Sequence, residues 1–365
     1  MSSVKKTTIT FLKEIKDQGD SRLEFKIKGS DINYIVVNTI RRACLSYVPI
    51  YAFHEFTFDK NTSIFHNNYL KARIKQLPVY GKFNTARTSK SNVKDDDTDG
   101  IDNKIDFVEY NRKSSDQYIP DILEEDNEEN DADPNIEKIL DTTQLKQLTM
   151  YVNAKNTTQD IIWVTTDHAK FYYNEKQIKT LYKIPIPIVK LQPDQEIIFS
   201  TVTKVSIADE HAMYSAASIA CYKQISDSEF DFIIESRGQI SEKRIIYVAL
   251  FNIEKKLNNF LNLFIEEIKK SKMDDKSSDN SYTTENNEGV IIINNEDHTL
   301  GNIITRGLQL HPKIEFAGYN LPHPLDMKVH FHYKTTKDGN IKNIIKDVIT
   351  YYQKLFSEIR AQFKD

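Results

Sequence analysis

The chain has 365 residues, a mass of 42.5 kDa and a net charge of −4. This length suffices for two or three domains with their own cores, and the near-neutral charge argues against a dedicated nucleic-acid binder, which is usually strongly basic. Two cysteines, Cys44 and Cys221, exclude a disulfide framework and an all-cysteine zinc site. Apolar runs are too short to cross a membrane and the first residues lack an apolar signal stretch, so we expect an intracellular protein.

The first patterned segment predicts a strand followed by a short helix. Apolar and polar residues alternate over 23–27, which is typical of a strand. Gly29-Ser30 then offers a turn and a helix N-cap. Apolar residues recur at helical spacing from Ile32 to Tyr47, and Pro49 ends the helix.

The next segments predict a β-rich region and then a long helix. Residues 53–58 and much of 145–222 alternate as strands do, with proline-bearing turns between them. A strand at 230–234 precedes a helix whose apolar residues are spaced four and three apart, which gives one strong apolar seam. The seam consists of Ile246, Leu250, Ile253, Leu257, Phe260 and Phe264.

Two polar stretches interrupt these patterns. Residues 95–133 hold 16 Asp or Glu against three basic residues, which predicts a mobile acidic insertion within 81–135. The stretch from Asp95 to Asp106 nearly matches a calcium loop, but position 8 is acidic and flanking helices are missing, so a solvated acidic segment is favoured. Residues 271–288 are polar and predict an interdomain linker.

The pattern of the front half then recurs. Residues 289–293 predict a strand, Asp297 or Thr299 caps a short helix, and strands follow at 314–317 and 327–333. The last helix again has an apolar seam with spacing of four and three. This seam consists of Ile341, Ile345, Val348, Tyr352, Leu355 and Ile359.

One unit therefore occurs twice: a strand, a short helix, strands and a long amphipathic helix. Each long helix has a seam that needs a partner, so we expect the two copies to pair with pseudo-two-fold symmetry inside one chain. The predicted fold class is α+β. The expected organisation is a larger module at 1–50 and 223–270, an inserted β-rich domain at 51–222, the linker at 271–288 and a small module at 289–365.

The front half also contains motifs in a fixed order. They read Asn-Thr-Ile-Arg-Arg at 38–42, Asn-Thr-Ser-Ile at 61–64, Leu-Lys-Ala-Arg-Ile at 70–74, Glu-His-Ala-Met-Tyr-Ser at 210–215 and Ile-Glu-Ser-Arg-Gly-Gln at 234–239. Together they resemble the larger of the alpha-like polypeptides of cellular RNA polymerases, which is the third-largest component of eukaryotic RNA polymerase II and has an archaeal counterpart. The family's cysteine cluster has no equivalent, because residues 81–135 contain no Cys.

The rear half contains Asn-Glu-Asp-His-Thr-Leu-Gly-Asn at 295–302, and residues 316–325 include Ala-Gly-Tyr-Asn-Leu-Pro-His-Pro. These two motifs resemble the small alpha-like polypeptide of the same enzymes, which archaea also have. Two ordered motif sets in one chain are more specific than either alone. A fused pair of this kind resembles the polymerases of large nucleocytoplasmic DNA viruses.

The resemblance implies a non-catalytic subunit of a DNA-directed RNA polymerase that nucleates assembly. It implies binding to the second-largest subunit, with small zinc-binding subunits beside it and the largest subunit joining indirectly. It implies no cofactor, no metal, no membrane and no sequence-specific contact with nucleic acid. The compartment would be the virion and host cytoplasm for a viral protein, or the nucleus for a cellular one.

The residues expected to bind the partner are Asn38, Arg41, Arg42, Asn302 and Arg306, all on the short helices. An arginine fork suits bidentate contacts with carboxylates of a partner. The simpler alternatives are solvated charges near a helix end for the arginines and local hydrogen bonds for the asparagines.

Two other features have a structural explanation. Asp297-His298-Thr299 is interpreted as a helix cap, because no nucleophile or oxyanion site accompanies it. His330 and His332 share one strand face but have no evident third metal ligand.

Two rival functions stay open from sequence. One is a stand-alone enzyme with a small-molecule pocket in the β-rich domain, although no phosphate loop or nucleophile elbow is present. The other is an adaptor unrelated to polymerase that uses the acidic segment to bind basic partners.

Overall fold

A computed structural model describes the chain in several stretches with gaps between them. The described residues are 7–16, 21–79, 148–173, 176–178, 182, 184–271, 281–285, 287–323 and 328–363. The acidic segment at 95–133 and the calcium-loop motif lie outside them. We call residues 7–271 the front half and residues 281–363 the rear half.

The described residues form fifteen strands and five α-helices. The strands are β1 Thr8–Lys16, β2 Ser21–Lys28, β3 Ile50–Asn61, β4 Leu148–Lys155, β5 Ile162–Thr165, β6 Ala169–Tyr173, β7 Lys176–Ile178, β8 Pro187–Leu191, β9 Glu196–Ser206, β10 Ala217–Ser226, β11 Glu229–Ser236, β12 Ser281–Glu285, β13 Glu288–Asn294, β14 Ile314–Asn320 and β15 Lys328–Thr335. The helices are α1 Tyr34–Ser46, α2 Asn67–Ile74, α3 Glu242–Ser271, α4 His298–Gln309 and α5 Ile341–Ala361.

The two halves contain antiparallel sheets of the same topology. In the front half the strand order is β1-β2-β11-β10, and in the rear half it is β12-β13-β15-β14. A short helix follows the second strand in each half, α1 after β2 and α4 after β13, and a long helix follows the last strand. The unit that the sequence repeats is therefore also repeated in three dimensions, and the α+β prediction is confirmed.

A second β structure lies between α1 and β10 in the chain. It consists of a five-stranded sheet, in the order β3-β9-β4-β6-β7, and a two-stranded sheet of β5 and β8. Helix α2 packs against β3 and β8. The rear half has no such insertion among its described residues, because α4 leads to β14 through a short turn.

The long helices join the two halves reciprocally. Helix α3 packs along α5. Phe260 of α3 makes an edge-to-face contact with Phe331 of the rear sheet, with ring centres 5.5 Å apart. Phe363, just beyond α5, makes the same kind of contact with Phe25 of the front sheet at 5.1 Å. Each half thus places its long helix or the residue that follows it against the sheet of the other half.

The strands at the sheet edges differ from the sequence expectation. Residues 281–285 form β12, so the segment interpreted as a linker contains an edge strand, and α3 extends to Ser271. Backbone pairing with β13 holds β12, and this pairing requires no apolar pattern. The sequence pattern does not predict β1 for the same reason. Helix α1 is capped by Asn33 rather than by the Gly29-Ser30 turn.

Candidate functional site: the interface between the two halves

The interface begins with two short helices that are capped in the same way. Asn33 accepts hydrogen bonds from the backbone N–H groups of Ile35 and Val36 at the start of α1, at 2.9 and 3.1 Å. Asp297 accepts one from the N–H of Thr299 at 2.7 Å at the start of α4. Such caps satisfy backbone donors that the first helical turn leaves free. The two caps therefore provide a common reference for comparing the helices.

The twelve residues of the two seams form the apolar centre of the interface. Each of them is buried, and none is more than 8% exposed. At about 25 cal/mol per Å² of apolar surface, burial of this kind is the main favourable term for the pairing. The predicted seams are Ile246, Leu250, Ile253, Leu257, Phe260 and Phe264 in α3, and Ile341, Ile345, Val348, Tyr352, Leu355 and Ile359 in α5.

Polar contacts fix the relative position of the long helices. Matching the two seams residue by residue pairs Asn258 with Gln353, and these two side chains are hydrogen-bonded to each other at 2.5 Å. A contact between equivalent positions marks the pseudo-two-fold axis. Farther along, Arg360 donates to both carboxylate oxygens of Glu254 at 2.9 and 3.0 Å. It also donates a third hydrogen bond to the hydroxyl of Tyr247 at 3.0 Å.

Arg42 connects the two short helices. Its Nη2 donates to Asp297 Oδ2 at 2.6 Å, and its Nε donates to the Thr299 hydroxyl at 2.7 Å. The hydroxyl of Tyr47 contacts the same Thr299 oxygen at 3.3 Å. The cap of α4 in the rear half is thus also the binding site for an arginine of the front half.

A buried ion pair lies beside this contact. Lys256 of α3 donates to Glu296 at 3.0 Å, and the two side chains are only 6% and 8% exposed. The ammonium of Lys256 also lies 4.2 Å from the centre of the Tyr47 ring, a cation–π geometry. Buried charges are tolerated when they are paired, and removing one partner is costly.

The pKa values of the two neighbouring carboxyl groups are shifted in opposite directions. Burial raises the pKa of Glu296, and Lys256 only partly opposes this effect. Burial also acts to raise the pKa of Asp297, but Lys256 and Arg42 outweigh it, so that this pKa lies below its ordinary value. Asp297 is therefore the carboxylate that the two cations hold most firmly in its charged form.

The other side of the pseudo-two-fold axis is built differently. When the two helix caps are aligned, Arg42 corresponds to Arg306 and Glu296 corresponds to Ile32. When the two seams are aligned, Lys256 corresponds to Tyr351. Arg306 and Tyr351 line an open cleft of about 820 Å³ together with Asp31. Burial, together with a hydrogen bond to Asp31, raises the pKa of the Tyr351 hydroxyl. The symmetry of the fold thus does not extend to the charges.

The five residues expected to bind a partner separate into groups. All five are half-buried. Arg41 Nε donates to Asn38 Oδ1 at 2.9 Å, so these two act together on the surface of α1. Arg42 is engaged within the chain, Arg306 lines the cleft, and Asn302 lies on α4.

Sequence reasoning missed the most buried polar contacts of the interface. Lys256 lies outside the four-three seam, and Glu296 stands out in the sequence only as part of the motif at 295–302. The two residues are 40 positions apart, so no local pattern connects them. Among the described residues, no group of three or more His, Cys, Asp or Glu side chains could hold a metal ion. No described helix is long and apolar enough to cross a membrane.

Comparison with known proteins gives matches to polymerase subunits. Residues 288–362 match the family model of the RNA polymerase Rpb3/Rpb11 dimerisation domain. A protein of Acanthamoeba polyphaga mimivirus, named as a subunit of DNA-directed RNA polymerase, is 26% identical over 357 residues, which is 95% of this chain and 92% of the viral protein.

Eukaryotic relatives match a smaller part of the chain. Subunit RPAC2 of RNA polymerases I and III from Caenorhabditis elegans is 40% identical over 76 residues, and subunit RPB11 of RNA polymerase II from Caenorhabditis briggsae is 39% identical over 64. The chain spans about half the length of each, 52%. Since the relatives and the domain match agree, the chain is an alpha-like subunit of DNA-directed RNA polymerase, of the type found in a giant virus.

Proposed function

We propose that this chain is a non-catalytic assembly platform in which two alpha-like subunits are fused into one polypeptide. The observation that supports it is the repeated topology of the two halves and their reciprocal pairing through α3 and α5. A paired unit of this kind presents the outer faces of α1 and α4 on one rigid body. The platform would bind the second-largest subunit first, and the largest subunit would join afterwards.

The outer face of α1 is the surface proposed to bind the second-largest subunit. Tyr34, Asn38, Arg41 and Leu45 recur at spacings of four, three and four and so lie on one side of the helix. Tyr34 is 58% exposed, and the other three are half-buried. Tyrosine and arginine are the residues that most often dominate binding energy at protein interfaces.

Arg42 points in another direction and serves the pairing of the halves. It is one residue, or about 100° around the helix, from Arg41. Because Arg42 contacts Asp297 and Thr299, replacing Arg41 and Arg42 together would disturb both the binding of the partner subunit and the pairing of the two halves. A test of docking therefore leaves Arg42 intact.

Small zinc-binding subunits are proposed to lie beside the inserted β structure. Phe65 and Tyr69 stack with ring centres 4.7 Å apart and are 38% and 50% exposed, next to Ile64 at 68%. Exposed apolar clusters are frequently places where another protein binds. This part of the proposal predicts that Ile64 becomes protected when the polymerase is assembled.

The test is co-expression of the full-length chain with the second-largest subunit of the same polymerase. The Tyr34→Ala/Arg41→Ala variant should weaken the complex by at least about 2 kcal/mol, or roughly 30-fold in Kd, because both side chains are proposed anchors. Lys346→Ala, which removes an exposed charge from α5, should bind normally. An unchanged Kd for the double variant, or no complex with the wild-type chain, would contradict the proposal.

A further inference from the structure

The charges at the interface suggest a role that the symmetry of the fold does not require. Because the two halves have the same topology, a front half could in principle pair with the front half of a second chain, and a rear half with a rear half. Apolar seams alone discriminate weakly between these arrangements, since all of them bury similar surface. Discrimination therefore has to come from residues that differ between the halves.

In the observed pairing, the cations of each half face carboxylates of the other half on both sides of the axis. On one side, Lys256 and Arg42 meet Glu296 and Asp297. On the other side, Arg306 and Asp31 line the same cleft. Asp227 nearby is exposed, so solvent screens it. Asp209 interacts with Lys256, Arg42 and Asp297, and burial raises its pKa. Because Asp209 belongs to the front half, it accompanies Lys256 and Arg42 whichever half they pair with, and it does not distinguish the pairings.

Each alternative pairing would change the partners of these charges on both sides of the axis. Two front halves would place Lys256 and Arg42 opposite Asp31, Ile32 and Asn33, so that only one of the partner residues is a carboxylate. Two rear halves would place Glu296 and Asp297 opposite Arg306 and Tyr351, which gives two carboxylates for one cation. An unbalanced buried charge is strongly unfavourable.

We propose that Lys256–Glu296 together with Arg42–Asp297 is a pairing code that makes the front half choose the rear half over a second copy of itself. Glu296 disfavours the pairing of two rear halves, because in that arrangement Glu296 would face Tyr351 and not Lys256. Arg42 disfavours the pairing of two front halves, because Arg42 would then face Asn33 and Ile35 and not Asp297 and Thr299. The code ensures that each chain folds on itself.

The Asn258–Gln353 contact on the axis supplies the reporter. In the full-length chain with Cys221→Ser, the Gln353→Cys substitution places a thiol that meets its own copy only if two rear halves pair. A short bis-maleimide crosslinker then joins two chains, visible as a dimer on a denaturing gel. The Asn258→Cys/Gln353→Cys variant reports the observed pairing through an intramolecular crosslink.

The test variant replaces each residue by its pseudo-equivalent, Lys256→Tyr/Glu296→Ile, which removes the charges but keeps residues that the fold already accepts there. After refolding at about 100 μM, we expect crosslinked dimer in roughly a tenth of the chains, because a linker gives an effective concentration near 1 mM for the intramolecular pairing. The parent chain with Gln353→Cys should give none above background.

Two outcomes decide the matter. If the test variant still forms the intramolecular crosslink fully and gives no dimer, Glu296 does not discriminate against the pairing of two rear halves, and the proposal is overturned. If the test variant does not form the intramolecular crosslink, Glu296→Gln, which keeps the shape of the side chain, replaces it in the same assay. Dimer from that variant supports the proposal, and its absence overturns it.

Discussion

Asp297 combines three roles that are usually distributed over several residues. It caps α4, it accepts the Thr299 hydroxyl at 3.0 Å, and it binds Arg42 of the front half. Burial acts to raise its pKa, but the two neighbouring cations hold the pKa below the ordinary 3.8. A carboxyl with a lowered pKa in the folded state stabilises the fold above its unfolded pKa, and this contribution is lost as the pH falls through the folded pKa.

The Asp297→Asn substitution removes the negative charge but keeps the helix cap, because asparagine is an equally good N-cap. At pH 7 we expect the free energy of unfolding to fall by about 1.5–3 kcal/mol, the usual range for a hydrogen bond to a charged group. The difference from wild type should shrink as the pH falls below 3.8. Urea unfolding at several pH values measures it, with the exposed Asp338→Asn as control. A difference that stays constant toward acid pH would show that the charge of Asp297 is not involved.

At the level of elements, α4 is adapted to close packing on α5. A Cβ atom on Gly307 would lie 2.3 Å from Val348 Cγ1 and 2.7 Å from Tyr352 Cε2. Both neighbours are fully or almost fully buried and belong to the seam, so they have little room to move. The equivalent position in α1 is Ala43, so the front half has room for one more carbon atom there.

Gly307→Ala should therefore destabilise the fold although alanine is the better helix former. The gain in helix propensity is about 1 kcal/mol, whereas overpacking a core costs about 1–3 kcal/mol and rises with the severity of the clash. We expect a net loss, measured by urea unfolding. Gly318→Ala is the matched control, because its nearest neighbour at 3.3 Å is the exposed side chain of Phe316. A more stable Gly307→Ala variant would contradict the packing described.

How much of the fold and of the interface could be predicted from sequence depends on whether the residues that form each feature are close together in the chain. The seams of α3 and α5 were predictable because every turn of a helix repeats the same local pattern. β1 and β12 were not, because an edge strand is held by backbone hydrogen bonds and tolerates polar side chains. The Lys256–Glu296 pair and the role of Arg42 were also not predictable, since they join residues from different halves that only the fold brings together.

At the level of the whole molecule, one chain holds two modules of the same topology, which we propose are two fused alpha-like subunits. Linking two modules makes their association intramolecular, so it no longer depends on protein concentration. The proposed pairing code, which is Lys256–Glu296 together with Arg42–Asp297, would then make the linked modules choose each other. The apolar seams thus supply most of the affinity between the halves, and the asymmetric polar contacts are proposed to select the front–rear pairing.

The acidic segment at 95–133 provides a test at the same level. If the chain were an acidic adaptor, deleting this segment would abolish binding of its partners. We expect instead that the deletion leaves the Kd for the second-largest subunit within about twofold, because α1 and α4 are proposed to make the contacts. Loss of the complex in a deletion variant that keeps its thermal stability would favour the adaptor.

The most direct measurement is the stoichiometry of the complex between this chain and the second-largest subunit. Native mass spectrometry of the purified complex should show one copy of each, because a single chain supplies both alpha-like halves. Two copies of this chain for each second-largest subunit would contradict the internal pairing, and the absence of any complex would contradict the platform itself.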